Sequence, residues 1–335
     1  MDFEIMVRMT QKELKSAVAE ELKEMGYPIK IADGYLYAQG DIPVLLVAHL
    51  DTVHRERVRE IFYSKDGTRL MSPEGIGGDD RCGVYIILQV IQNTRCHVLF
   101  CEDEETGAIG AREFAKSKIK PKVNYIIEVD RRGADDAVFY NCDNPEFAEF
   151  VCGFGFIEAR GSFSDISVIA PRLGIAAVNL SAGYHNEHSK SEYVDLTEMA
   201  TVMERLSRIV ETPSKKYKYL ERTQLSFYGS YGQQVLDLWG YMNEPHKEKS
   251  ELLMPLPDSA YLLIDGHQVE NCGDYFINAR NNVYDYIHHL DAAVKSENTT
   301  VHSQSGTPLR FSKDEAIRVR ILPVEIALEM LGYLS

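Results

Sequence analysis

Along the first two thirds of the chain, apolar positions switch repeatedly between the spacing of a helix and the unbroken run of a buried strand. Leu14, Val18, Leu22 and Met25 recur at helical spacing behind Thr10, a good capping residue, and the run ends at Gly26 and Pro28. Strands are predicted next at 34–38 and Ile42–His49. The second contains Val44-Leu45-Leu46-Val47 with no polar break, as expected for a central strand covered on both faces. Residues 60–64 and 68–71 flank Lys65-Asp66-Gly67, a hairpin signal. After Gly75-Ile76-Gly77-Gly78 the pattern predicts a helix at 82–91, a strand at 97–101, a helix at Ile109–Lys116 and a strand at 123–129. Helices at Pro145–Cys152 and 164–173, a strand at 175–180 and a helix at 196–210 complete this part. Strands alternating with helices imply an α/β fold: a mostly parallel central sheet with helices on both faces.

A polar, proline-bearing segment at 211–216 marks a boundary. Beyond it the chain is richer in tyrosine and carries its only tryptophan, Trp239. We therefore expect a catalytic unit over 1–212 and an accessory α+β region over 213–335, with a strand at 261–264 and helices at 281–294 and 323–331. No chemical motif stands out in that second region; His267, His288, His289 and His302 lack metal-ligand spacing.

Composition narrows the function classes. At 335 residues, 44% apolar and 26% charged, the chain can bury a large core and is not disordered by composition. The net charge of −15 argues against an electrostatic grip on nucleic acid. That excess is concentrated before residue 215, where 35 acidic residues face 24 basic ones, and bound divalent cations would offset part of it. No stretch approaches the length of a membrane helix and the first residues do not resemble a signal peptide, so a soluble cytoplasmic protein is expected. The six cysteines form no CxxC pair and read as free thiols with small apolar roles.

The chemistry lies at the strand ends, where ligands bind in open α/β sheets. The strand Ile42–His49 runs into His49-Leu50-Asp51, and residues two apart on a strand share a face. His49 suits a metal ligand and Asp51 the carboxylate that orients it, although a His-x-Asp pair by itself is weak evidence. Asp79 and Asp80 follow the glycine-rich loop; one could simply cap the helix, or one could bridge two cations. The strand at 97–101 opens into Glu102-Asp103-Glu104-Glu105, a crowd of carboxylates that is costly without a cation. Glu104 and Glu105 can divide the work, one binding metal and the other acting as general base. The strand at 123–129 ends at Asp130, and Gly183-Tyr184-His185-Asn186-Glu187-His188 follows the last strand.

Taken in order, His49-Leu50-Asp51, Gly78-Asp79-Asp80, Asp103-Glu104-Glu105-Thr106-Gly107, Val129-Asp130 and His188-Ser189-Lys190-Ser191-Glu192-Tyr193 resemble the co-catalytic zinc exopeptidases, the superfamily of peptidase T and the single-domain zinc aminopeptidases. The resemblance covers roughly residues 10–212. It implies that Asp79 bridges two zinc ions, that His49 and Asp130 complete one site, and that Glu105 and His188 complete the other. Glu104 would be the general base, with Asp51 supporting His49. Manganese or cobalt are the alternative metals. His188 is preferred to His185 as the last ligand because an acid, Glu192, follows it by four residues, as in the family. His185 and Asp165 would then lie near substrate, although a loop histidine and a helix-capping Asp are equally ordinary readings. The interval from Asp130 to His188, 58 positions, is too short for the lid domain that peptidase T inserts there.

These expectations add up to a metal-dependent amide hydrolase, first of all an aminopeptidase on short peptides. The alternatives are a deacylase or desuccinylase acting on an N-acyl amino acid with the same site, and a catalytically inactive binding module.

Overall fold

The computed structural model describes residues 1–222, together with the short strands Leu262–Ile264, His267–Val269, Tyr275–Asn278, Asn282–Asp285, Val301–His302, Pro308–Leu309 and Leu322–Pro323. The chain divides into two compact units, the first built on Met1–Glu221 and the second beginning at Arg222.

In the first unit, helices α1 (Phe3–Val7) and α2 (Gln11–Glu24) precede strands β1 (Ile29–Ala32), β2 (Tyr35–Ala38) and β3 (Ile42–His49). A hairpin of β4 (Phe62–Ser64) and β5 (Arg69–Met71) leads to α3 (Gly78–Val90), β6 (Cys96–Cys101), α4 (Ile109–Lys116) and β7 (Tyr125–Arg131). Then come β8 (Asp136–Val138), α5 (Pro145–Cys152), β9 (Ile157–Ala159), α6 (Ile166–Leu173) and β10 (Ala177–Ser181). Strands β11 (Tyr184–His185) and β12 (Tyr193–Asp195) precede the last helix, α7 (Leu196–Glu211).

The main sheet has eight strands in the order β1-β2-β6-β3-β7-β10-β8-β9. Its centre, β6-β3-β7-β10, is parallel throughout, with Leu46 opposite Val98 on one side and Ile127 on the other. Antiparallel pairing is confined to β1-β2, β2-β6 and β10-β8. The unbroken apolar run of β3 is explained by two cores. Val44, Leu46 and Ala48 pack on the face shared with α3 and α7, whereas Leu45 and Val47 pack against residues of α4 and α6.

Helix α2 begins as its sequence predicts. Thr10 Oγ1 accepts from the Glu13 amide and the Glu13 carboxylate accepts from Thr10 N, a reciprocal cap. Tyr217 lies past the end of α7 and packs on Phe147 and Tyr125, with ring centroids 5.1 and 6.3 Å away, so the described chain stays on this unit beyond residue 212.

The approach of α3 to β7 sets up the site. A Cβ on Gly83 would stand 1.9 Å from the Val129 carbonyl oxygen and 2.4 Å from Asp80 Oδ1. Only glycine lets the helix start sit directly above the end of β7. Gly83→Ala is therefore expected to destabilise the protein by roughly 1–3 kcal/mol or more through overpacking. Thermal denaturation checks this, and an unchanged midpoint would mean that the helix can lift away freely.

Two expectations for the second unit meet the structure. Leu262–Ile264 is a strand, paired antiparallel with His267–Val269. The helix expected at 281–294 is corrected at its start: Asn282–Asp285 is a strand, with Val283 opposite Leu322. Val283 and Tyr284 belong to residue types that favour strands, and long-range pairing overrode the local helical spacing. Pro323, expected to open the last helix, closes the strand Leu322–Pro323; residues 286–294 and 324–331 lie outside the described residues.

Candidate metal centre

The parallel strands β3, β6, β7 and β10 all end at the same edge of the sheet, so His49, the segment after Cys101, and Asp130 arrive together. Helix α3 delivers Asp79 from above β7. The loop between β11 and β12 delivers His188, whose backbone is left-handed (φ 61°).

At the centre is the Asp79 carboxylate. Its Oδ1 lies 2.9 Å from His49 Nε2 and its Oδ2 lies 3.2 Å from His188 Nε2. Asp130 Oδ1 is 3.4 Å from the same nitrogen of His49, and Glu105 Oε1 is 3.1 Å from that of His188. Two groups of donor atoms thus face one another with Asp79 between them. Glu105 Oε1 is buried and has no hydrogen bond despite its nearness to His188. A buried carboxylate oxygen left without a hydrogen bond among other donor atoms has the chemistry of a cation ligand. The donors of His49, Asp79 and Glu105 lie within 4.8 Å of one another, and so do those of His49, Asp80 and Asp130. Asp80, however, has both oxygens engaged: Oδ2 accepts from the His49 amide (3.2 Å) and Oδ1 from that of Gly83 (2.9 Å). It fastens α3 to the end of β3 and is a poorer ligand candidate than Asp79.

Asp51 lies on the opposite edge of the His49 ring, its Oδ1 3.2 Å from Nδ1. The same carboxylate accepts from the amides of Glu104 (3.0 Å) and Glu105 (3.1 Å). One side chain therefore orients the histidine and fixes the acidic loop. These bonds outweigh burial and hold Asp51 below the usual carboxylate range.

Electrostatics follow from packing carboxylates at a sheet edge. Burial, with Asp130, Asp165 and Glu105 nearby, pushes Glu104 up to about 8 against the pull of His49. Asp130 is raised to about 6 by burial and Asp79, and Asp165 to about 7, chiefly by burial. His188 is pushed up to about 11 by the Asp79 and Glu105 carboxylates beside it. For His49, burial disfavours the charged form, but Asp130, Asp51 and Asp79 together raise it well above the ordinary value.

The structure places Asp165 differently from the five facing residues. It is fully buried at the start of α6 with neither oxygen hydrogen-bonded, and its neighbour Ser164 donates to Glu128. His185 points away, its Nε2 2.6 Å from Glu198 Oε2 and its ring stacked on Tyr193.

Several supports are not evident from the sequence. Glu192, notable there only as a marker for His188, is completely buried and accepts from the amides of Gly77 (3.0 Å) and Asp79 (2.8 Å) while holding His54 at 2.6 Å. Asn179 accepts from the Asp130 amide at 2.8 Å and donates to its carbonyl at 3.0 Å, fixing that backbone. The signal that could have found Asn179 and Glu128 is a polar residue inside an otherwise apolar strand. Among the described cysteines, Cys82, Cys96, Cys101, Cys142 and Cys152 are all free, and Cys272 lies outside the described residues. Among the described residues, no helix is long and apolar enough to cross a membrane.

Comparison with known proteins bears on the fold of this first unit. Residues 36–150 match the model of peptidase family M28. Among curated proteins, none matches the chain significantly. Of solved structures, the aminopeptidase PepT from Bacillus cereus superposes with a TM-score of 0.52 at 15% identity, covering 62% of this chain and 96% of that one. A tripeptidase from Staphylococcus aureus gives 0.51 at 14% identity, covering 62% of this chain and 95% of the other. At these identities the likeness is one of fold. The first unit thus has the fold of these peptidases, and residues 36–150 within it resemble peptidase family M28.

Proposed function

We propose that this chain is a metal-dependent peptidase, and more narrowly an aminopeptidase acting on short peptides. The observation that carries the reading is the Asp79 carboxylate set between His49 and His188, with Asp130 and Glu105 completing a donor group on each side. This mixed histidine and carboxylate set fits two divalent cations, zinc in the first place. His49 and Asp130 would hold one, Glu105 and His188 the other, and Asp79 would bridge them. When bound, such ions polarise a scissile carbonyl and make a water acidic enough to lose a proton near neutral pH.

The chain's own residues supply the rest. Glu104 is next to Glu105 on the loop that Asp51 anchors, yet it belongs to neither donor group. A carboxylate so placed, beside the donor groups but outside them, suits a group that takes a proton from the attacking water and gives it to the leaving amine. Asp51 keeps His49 Nδ1 protonated so that Nε2 is free to bind, and Glu192 holds the backbone of Asp79.

Elemental analysis of protein purified without chelator is expected to give close to two divalent ions per chain. Short peptides with a free amino terminus should be cleaved, and chelation should abolish that cleavage. If N-acyl amino acids were hydrolysed and free peptides were not, the deacylase reading would replace the aminopeptidase one. Protein that neither held metal nor turned over any such substrate would leave the inactive binding module.

A further inference from the structure

The direction of the Asp79 carboxylate is set by a chain of contacts that ends in a histidine outside the five facing residues. Gly77 heads α3 and has no side chain to cap it. The amides of the first helical turn have no acceptor within the helix. Glu192 supplies one from far along the chain: its Oε1 accepts from the Asp79 amide at 2.8 Å and its Oε2 from that of Gly77 at 3.0 Å. Glu192 is completely buried, so the position of its carboxylate decides the position of this backbone. Among the described residues, the side chain that donates to it is His54, with Nε2 2.6 Å from Oε2. The His54 ring lies flat against the glycine loop. A Cβ on Gly75, which has φ 93°, would stand 2.1 Å from its Nδ1 and 2.3 Å from its Cε1.

His54 therefore reaches the facing donors through Glu192 and the Asp79 backbone. Asp79 lies against both histidines, 2.9 Å from His49 and 3.2 Å from His188, so a shift of its backbone is felt in both donor groups. We propose that His54 is a positioning residue for the metal centre, fixing the Asp79 carboxylate between the two donor groups by holding Glu192 in place. This role rests on the metal-centre reading above. It adds that affinity for both ions depends on one histidine that ligates neither.

Zinc affinity of the folded protein, measured by competition with a chelator of known strength, tests the role in three variants. His54→Leu removes the donor. His54→Asn keeps a polar side chain that stops short of Glu192, whereas His54→Gln places an amide N–H near the position of Nε2. The Leu and Asn variants should bind both ions roughly 10–100-fold more weakly, and Gln should restore most of that loss. A merely structural role would lower the thermal midpoint of the chelated protein and leave Asn and Gln alike. If the Leu variant does not fold, the comparison of Asn with Gln decides alone. Unsubstituted protein that bound fewer than two zinc ions would overturn the metal-centre reading and the role of His54 with it. With two ions bound, three results would overturn the role of His54 alone: unchanged affinity in Asn and Leu, weakening of only one ion, or equal loss in Asn and Gln.

Discussion

Glu104→Gln is expected to lower kcat by roughly 10²–10⁴-fold while the protein keeps its full metal content. The substitution preserves size and leaves the backbone amide that reaches Asp51 Oδ1 at 3.0 Å, so the loop should hold its course. The five facing side chains do not include Glu104, and Glu105 keeps its place 3.1 Å from His188. A carboxamide in that position cannot carry a proton. The loss should therefore fall on kcat, with KM nearly unchanged. Steady-state kinetics alongside elemental analysis separates the outcomes. Full turnover would remove Glu104 as the base, and lost metal would make it a ligand.

Much of this arrangement is legible locally, because it depends on the residues that end each strand. The run Val44–Val47 announces a central strand and its end supplies His49 and Asp51; Ile109–Lys116 and Pro145–Cys152 form helices at the expected bounds. The helix expected from residue 82 begins at Gly78, but Asp79 and Asp80 have non-helical backbone angles, which is how α3 can turn a carboxylate toward the sheet edge. Elements defined by distant partners are not legible. Strands β8 and β9 have three residues each, too few for a period to show, and exist by pairing with one another and with β10. The same holds for the site's supports. Glu192 reaches Asp79 across 113 residues of sequence and Asn179 reaches Asp130 across 49, contacts that no local pattern encodes.

Stripped of divalent cations by a chelator, the protein should lose stability as pH rises from about 5 to about 8, the reverse of ordinary acid denaturation. Asp130 near 6, Asp165 near 7 and Glu104 near 8 all lie above their unfolded values, 3.8 for Asp and 4.5 for Glu, and burial leads in each case. Asp80 and Glu128 are raised as well. A raised group binds its proton more tightly when folded, so its contribution is complete below the unfolded pKa and vanishes as pH climbs through the folded one. His188, raised to about 11, adds the same slope above pH 6.5. Asp51 and Asp79 are lowered and act in the opposite sense, but their loss falls below about pH 4, outside this window. At 1.36 kcal/mol per unit, and with neighbouring carboxylates sharing one shift, the total is on the order of a few kcal/mol, or roughly 10 °C in Tm. Bound cations replace those protons, so the zinc-loaded protein should show a much flatter profile and a higher Tm at pH 8. Thermal unfolding at several pH values, with chelator and with zinc, measures both. A chelated protein more stable at pH 8 than at pH 5 would mean that the crowded carboxylates are relieved by something other than protons or cations.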